Sequence, residues 1–334
     1  MTSPPSILIL GATGYLGGTL LTTLLKTYDP KNITALIRDS AKQSLFEPYR
    51  INTVPGSVED ITLLRSLVEE NDVVVNFAVP FAGGDESIKA IVEGLESRAK
   101  RSDIKPVLLQ TSGTGSIMYG SNGEAGTDVW TDSDHERWEA LPDTAFFHSG
   151  DRIVARSAER GIISAYIIMS PTVYGPGTGP GNKLSLQIPA YVRYAKRTGQ
   201  AGYIGKGDNI WGNAIHQVHV QDLIDLYLIV LSQALEHPDS TIAEAGSHGW
   251  SNLIYAGLNQ HTWKPIIELI GDRLFARGDI PNGGVISLAE GEGDMYMFGT
   301  NSFMEVSEKA KSLGWKQKQP NLVEAIKLAL PEEK

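Results

Sequence analysis

The stretch ILILGATGYLGG, residues 7–18, decides the architecture. Its four leading apolar residues run into a glycine and read as a buried strand. The pattern that follows, LGGTLLTTLLKTY (16–28), has helical periodicity. Gly11, Gly14 and Gly17 therefore stand between a strand and a helix. A G-x-x-G-x-x-G string is weak evidence alone, but this setting gives it a physical purpose. The glycines permit a tight turn and let the backbone approach a pyrophosphate, which then rests on the helix N-terminus. The stretch predicts the first βα unit of a dinucleotide-binding sheet.

Working outward, the same alternation recurs. SILIL (6–10), ITALI (33–37), DVVVNFA (72–78), PVLLQT (106–111) and SAYIIM (164–169) read as strands, and EDITLLRSLVEE (59–70) as an intervening helix. Apolar strands separated by helices imply a parallel sheet covered on both faces. The fold class is thus α/β, a Rossmann-type doubly wound parallel sheet. After Tyr174 the pattern changes to a Gly/Pro-rich loop, GPGTGPGN (175–182), and a helical stretch at 184–199. Residues 213–237 read as a strand feeding a helix, STIAEAG (240–246) as one more strand, and 263–278 and 307–315 as later helices. The expected division is a dinucleotide-binding domain over 1–174, completed by about 213–247. A smaller C-terminal substrate-binding domain takes 175–212 and 248–334.

Composition narrows the function. The 334 residues are 41% hydrophobic and 20% charged, enough for a sizeable core. No apolar run approaches the ~18 residues of a membrane span, and the N-terminus reads as a strand rather than a signal peptide. A cytoplasmic location is the expectation. With no cysteine, disulfide and thiolate chemistry are excluded. The net charge of −10, without a basic run, argues against nucleic acid as a partner. A small molecule is the expected substrate.

The end of the second strand bears on cofactor choice. An acidic side chain there would accept from a ribose 2′-hydroxyl, but this chain reads ALIRDS, with Arg38 first and Asp39 next. A guanidinium suits a 2′-phosphate through bidentate, charge-assisted bonds. NADP(H) is therefore preferred. NAD(H) remains the alternative, with Asp39 on the ribose and Arg38 stacked on adenine or facing solvent.

At this point the chain resembles the extended short-chain dehydrogenase/reductase family, of the nucleotide-sugar epimerase/dehydratase type. GATGYLGG looks like its cofactor loop, and NFAVP (76–80) like its fourth-strand end. LQTSGTGSIMYG (109–120) resembles its fifth strand and serine-rich exit. MSPTVYGPG (169–177) resembles its R-P-x-x-V-Y-G-P-G, with Ser170 in place of Arg. IHQVHVQDLIDLYL (215–228) and KAKSLGW (309–315) match later patterns. The resemblance implies that Gly11, Thr13, Gly14, Tyr15, Leu16 and Gly17, with Arg38, Ala78, Val79, Thr111, Pro171 and Val173, border the cofactor. It also suggests a homodimer.

In that family a Tyr moves the proton, a Lys four residues later lowers its pKa, and a Ser or Thr after the fifth strand polarises the substrate oxygen. Here PDTAFFHSGDR (142–152) occupies the Tyr/Lys helix. Alignment puts Asp143 at the Tyr position, Phe147 at the Lys position and Asp151 at an acidic position further on. None of the twelve tyrosines has Lys four residues later. An ungapped count puts Gly113 at the catalytic hydroxyl, leaving Ser112 or Thr114 to serve if the loop shifts.

His148 is the expected replacement for the proton role, since imidazole titrates near neutrality without a cationic partner. Asp143 reads as a helix N-cap. Tyr119 and Tyr174 sit on loops that the resemblance places near the nicotinamide, where packing is their simpler role. His216 and His219 form H-x-x-H, which on a strand points to opposite faces and argues against a metal. Trp211, Trp250 and Trp263 read as core of the second half. The missing Tyr/Lys pair and the missing Arg at 170 argue against a standard sugar-nucleotide epimerase. The leading expectation is an atypical NADP(H)-dependent oxidoreductase of a small carbonyl or alcohol, using Ser112, Thr114 and His148. The alternatives are a catalytically silent NAD(P)-binding sensor or interaction protein, and a non-redox lyase, cyclase or epimerase reusing the pocket.

Overall fold

A computed structural model describes residues 4–78, 84–212, 217–238, 249–257, 262–292 and 296–331. Seven strands form the central sheet: β1 (Ile7–Leu10), β2 (Ile33–Ile37), β3 (Asn52–Pro55), β4 (Val73–Asn76), β5 (Val107–Gly113), β6 (Ser164–Ser170) and β7 (Leu253–Tyr255). Their order is β7-β6-β5-β4-β1-β2-β3, and every pairing is parallel. Chain order reverses beside β1, which pairs with β2 on one edge and β4 on the other. In such sheets the crevice at the strand C-termini beside the reversal is where ligands bind.

The core follows from the two-residue period of the strands. Ile7 and Ile9 face helix α1 (Tyr15–Leu24) and a later helix, Val220–Glu236, meeting Leu20, Leu24, Leu223 and Tyr227. Leu8 and Leu10 face the opposite layer, where Leu64, Ile91 and Val154 lie on helices α2 (Ile61–Glu69), α3 (Asp85–Ala99) and α4 (His148–Arg160). Every residue of β1, β4 and β6 is buried, as a sheet covered on both faces requires. A third cluster, separate from the two that flank the sheet, joins Tyr191, Tyr194, Trp263, Ile267 and Leu288.

The last sheet strand departs from expectation. It is Leu253–Tyr255, pairing with Ile167–Met169, inside the 248–334 stretch assigned to the smaller lobe. The stretch 240–246 lies outside the described residues. Trp250 likewise belongs to the sheet-side core with Trp138, whereas Trp263 belongs to the third cluster. The side chain of Trp211 and all of His216 lie outside the described residues. His219 caps the Val220–Glu236 helix, its Nδ1 accepting from the Gln221 N–H at 3.1 Å. Among the described residues no helix is long and apolar enough to cross a membrane.

Candidate active site

The glycine loop has the geometry its sequence implies. Gly11 sits at φ +89°, and its carbonyl accepts from the Gly14 N–H at 2.9 Å. A Cβ on Gly17 would stand 2.4 Å from the Gly11 carbonyl oxygen, so only glycine lets the helix start this close to the strand. No side chain caps α1, and no acidic residue lies in its first turn. The N-terminus is thus an anion seat with open donors. The loop at 175–182 wraps this turn. The Tyr15 hydroxyl donates to the Gly175 carbonyl at 2.6 Å, and the Asn182 N–H donates to the Thr13 carbonyl at 2.9 Å. Ala78 lies beside Gly11, its N–H donating to Asn76 Oδ1 at 3.1 Å. Val79 lies outside the described residues.

Arg38 and Asp39 follow β2 and are both exposed. Asp39 is already engaged, its Oδ1 accepting from the Ala41 N–H at 3.1 Å and its carboxylate 3.8 Å from Lys42. Arg38 makes no hydrogen bond or ion pair among the described residues. These residues fit a dinucleotide: an uncapped helix start beside a glycine turn, with a spare guanidinium at the end of β2.

From the loop, a cavity of about 410 Å³ opens over the C-terminal ends of β5 and β6. It brings together Tyr15, Leu16, Thr111, Ser112, Thr114, Pro171 and Val173, all expected at the site. Three of its hydroxyls differ in their engagement. Thr111 Oγ1 is 2.6 Å from the buried Tyr227 hydroxyl. Thr114 Oγ1 is buried without a partner among the described residues. Ser112 donates a short hydrogen bond to Asp151 Oδ2.

Asp151 is the residue the sequence reading left without a role. It is 2% exposed in the first turn of α4, and its other oxygen, Oδ1, has no hydrogen-bond partner among the described residues. Burial pushes its carboxyl up to about 8, against the lowering effect of the Ser112 hydrogen bond. Helical spacing carried the signal. Asp151 lies three and four residues before the buried Val154 and Ala155, so a carboxylate sits on the apolar face of an amphipathic helix.

His148 does not reach the cavity, which corrects the expected proton role. Its ring is 1% exposed and stacks on Trp250, with centroids 5.4 Å apart and planes at 6°. Nε2 donates to the Trp138 carbonyl at 2.7 Å, and burial lowers the imidazole pKa. It is a core histidine fastening α4 to the Trp138 segment. Asp143 is not the cap of α4 either. The cap position is Phe147, at φ +63° without a side-chain hydrogen bond, while Asp143 is exposed and pairs with Arg152 at 2.7 Å. Residues 142–147, aligned with the start of the family's Tyr/Lys helix, are non-helical, with turns at 143–144 and 146–147. The Phe147 ring lies over Gly113, where a Cβ would stand 3.2 Å from its Cε2. Tyr174 points away, donating to the Pro320 carbonyl at 2.9 Å. Tyr119 lines a neighbouring cavity instead.

The comparisons with known proteins agree with this geometry. Residues 7–246 match the model of the NAD dependent epimerase/dehydratase family. The chain is 26% identical over 347 residues to a protein from Acremonium sp named "Oxidase ucsJ", spanning 98% of this chain and 97% of that one. Its fold is similar to that of dTDP-glucose 4,6-dehydratase from Bacillus anthracis, solved with NAD. That match has TM-score 0.67 and 18% identity, covering 98% of this chain and 96% of the other. UDP-glucose 4-epimerase from Thermotoga maritima, solved with UDP-glucose, gives TM-score 0.65 and 15% identity, with 97% of each chain covered. With its glycine loop, sheet order and strand-end cavity accounted for, the chain belongs to the NAD dependent epimerase/dehydratase family.

Proposed function

We propose that this protein is an NADP(H)-dependent oxidoreductase that interconverts an alcohol and a carbonyl without a Tyr/Lys pair. The observation carrying this reading is the Ser112–Asp151 contact: a hydroxyl on the cavity wall, backed by a buried carboxyl. The uncapped start of α1, Leu16 and Val173 would hold the dinucleotide, and Arg38 would hold its 2′-phosphate. Asp39 is spent on the turn after β2, which favours NADP(H) over NAD(H). When bound, the nicotinamide supplies the acceptor or donor of a hydride.

The chain's own residues handle the oxygen and the proton. The Ser112 hydroxyl holds the substrate oxygen at the cavity wall. In alcohol oxidation the substrate O–H proton passes to Ser112 Oγ as the Ser112 proton passes to Asp151 Oδ2. Carbonyl reduction runs the same relay backwards. The oxidising direction accords with the name of the Acremonium relative. Purified protein would be screened with neutral alcohols and NADP⁺, following reduced-nicotinamide absorbance. Turnover that falls about 10²–10⁴-fold in Ser112→Ala supports the relay. Tight NADPH binding with no turnover on any alcohol or carbonyl would instead favour a silent cofactor-binding protein.

A further inference from the structure

A second cavity of about 640 Å³ adjoins the first, and the two share Gly115, Met118 and Phe146 in their walls. Beyond that shared wall the second cavity is bounded by apolar Ile117, Trp130 and Leu141 and by hydroxyl-bearing Ser116, Thr127 and Thr144. Its one charged lining residue among those described, Asp128, is paired with Arg137 at 2.6 Å, and the Arg137 guanidinium lies 3.9 Å over the Trp130 ring. Among the described residues, no lysine or arginine lines either cavity.

Three of the five cations in 183–206 are engaged outside both cavities. Lys196 pairs with Asp279 at 3.3 Å and Lys206 with Glu124 at 2.9 Å. Arg197 lies over the Tyr194 ring, and Lys183 and Arg193 are exposed and line neither cavity. Away from a helix start, diphosphate recognition draws chiefly on guanidinium and ammonium donors. A pocket walled by apolar and aromatic side chains with a few hydroxyls instead retains uncharged apolar ligands. The first cavity must also hold the nicotinamide end of the cofactor, so the body of any substrate beyond a few atoms extends past Phe146.

We infer that the joined cavities bind an uncharged, largely apolar ring- or alkyl-bearing alcohol or ketone, with its reacting oxygen at Ser112 and its body in the second cavity, and not a nucleotide sugar. This rests on the oxidoreductase reading and gives it a substrate class. Gly115 is the control point. A Cβ there would meet Phe147 Cε2 at 3.5 Å and Phe146 Cβ at 3.8 Å, which is ordinary contact. A larger side chain at 115 would fill the wall that the two cavities share.

The test titrates the NADPH-loaded protein with prodan, a neutral naphthyl ketone whose emission shifts to the blue in apolar surroundings, and in parallel with UDP-glucose. The expected result is saturable prodan binding with a blue shift, no displacement by UDP-glucose, and at least tenfold weaker prodan binding in Gly115→Leu. NADPH affinity in that variant should stay within about twofold of wild type. Phe146→Asp, at a 37% exposed position, should weaken prodan similarly if Gly115→Leu fails to fold. Prodan binding that is absent, or equal in both variants and wild type, overturns the substrate class, as does saturable binding of UDP-glucose that displaces prodan. Loss of NADPH binding by the wild-type protein would instead sink the underlying oxidoreductase reading, so the two failures are distinguishable.

Discussion

Ser112 at the end of β5 donates its hydroxyl proton to Asp151 in the first turn of α4, so a cavity-wall hydroxyl and a buried carboxyl form one unit. Asp151 holds its proton up to about 8 in the folded protein, whereas an unfolded aspartate loses it near 3.8. Alcohol oxidation needs the carboxylate and should rise with pH through about 8. Carbonyl reduction needs the acid and should fall over the same range. Asp151→Asn should remove the proton relay in both directions and lower turnover about 10²–10⁴-fold. A pH–rate profile of wild type and variant checks this.

The same group makes stability depend on pH. Its raised folded pKa means the native state binds the proton more tightly than the unfolded chain. That contribution is full below about 4 and is lost as pH rises toward 8. Asp151→Asn keeps the neutral form at every pH. Thermal melts between these limits should show wild type losing stability relative to the variant as pH rises.

His148 is expected to act on stability rather than chemistry. Its ring packs on Trp250 and its Nε2–H satisfies the Trp138 carbonyl. His148→Ala should cost about 2–4 kcal/mol, the range of buried large-to-small truncations. It should leave NADPH affinity within about twofold. Denaturant unfolding and a nucleotide titration check the two halves. A stable His148→Ala protein without turnover would restore the histidine to catalysis.

Gly113 and Phe147 should be energetically coupled. Restoring a serine at 113 puts its Cβ 3.2 Å from the Phe147 ring, closer than most real contacts. Gly113→Ser alone should destabilise by about 1–3 kcal/mol, the usual cost of overpacking. Phe147→Ala should relieve most of that cost. A double-mutant cycle measured by denaturant unfolding gives the coupling directly.

The sheet was legible because its strands are short, β-branched and buried on both faces. ITALI is a strand over the residues quoted, and the glycine loop fixes what precedes α1. The strand Asn52–Pro55 was missed because it is an edge strand, partly exposed and ending in proline, with little apolar signal. The strand Leu253–Tyr255 was not legible because three residues carry no detectable period. At the site, backbone geometry was readable and side-chain direction was not. His148 and Asp151 are neighbours on one helix, yet the histidine turns toward Trp250 and the aspartate toward Ser112. Sequence spacing places both near β5, and the packing partners decide which one reaches the cavity.

The most direct measurement is a fluorescence titration of the purified protein with NADPH and with NADH, repeated on Arg38→Ala. The account expects NADPH to bind more tightly than NADH. It expects Arg38→Ala to weaken NADPH about 10–100-fold while leaving NADH nearly unchanged, as loss of a charge-assisted phosphate contact requires. Failure of both nucleotides to bind would contradict the oxidoreductase reading, and equal binding indifferent to Arg38 would contradict the preference for NADP(H).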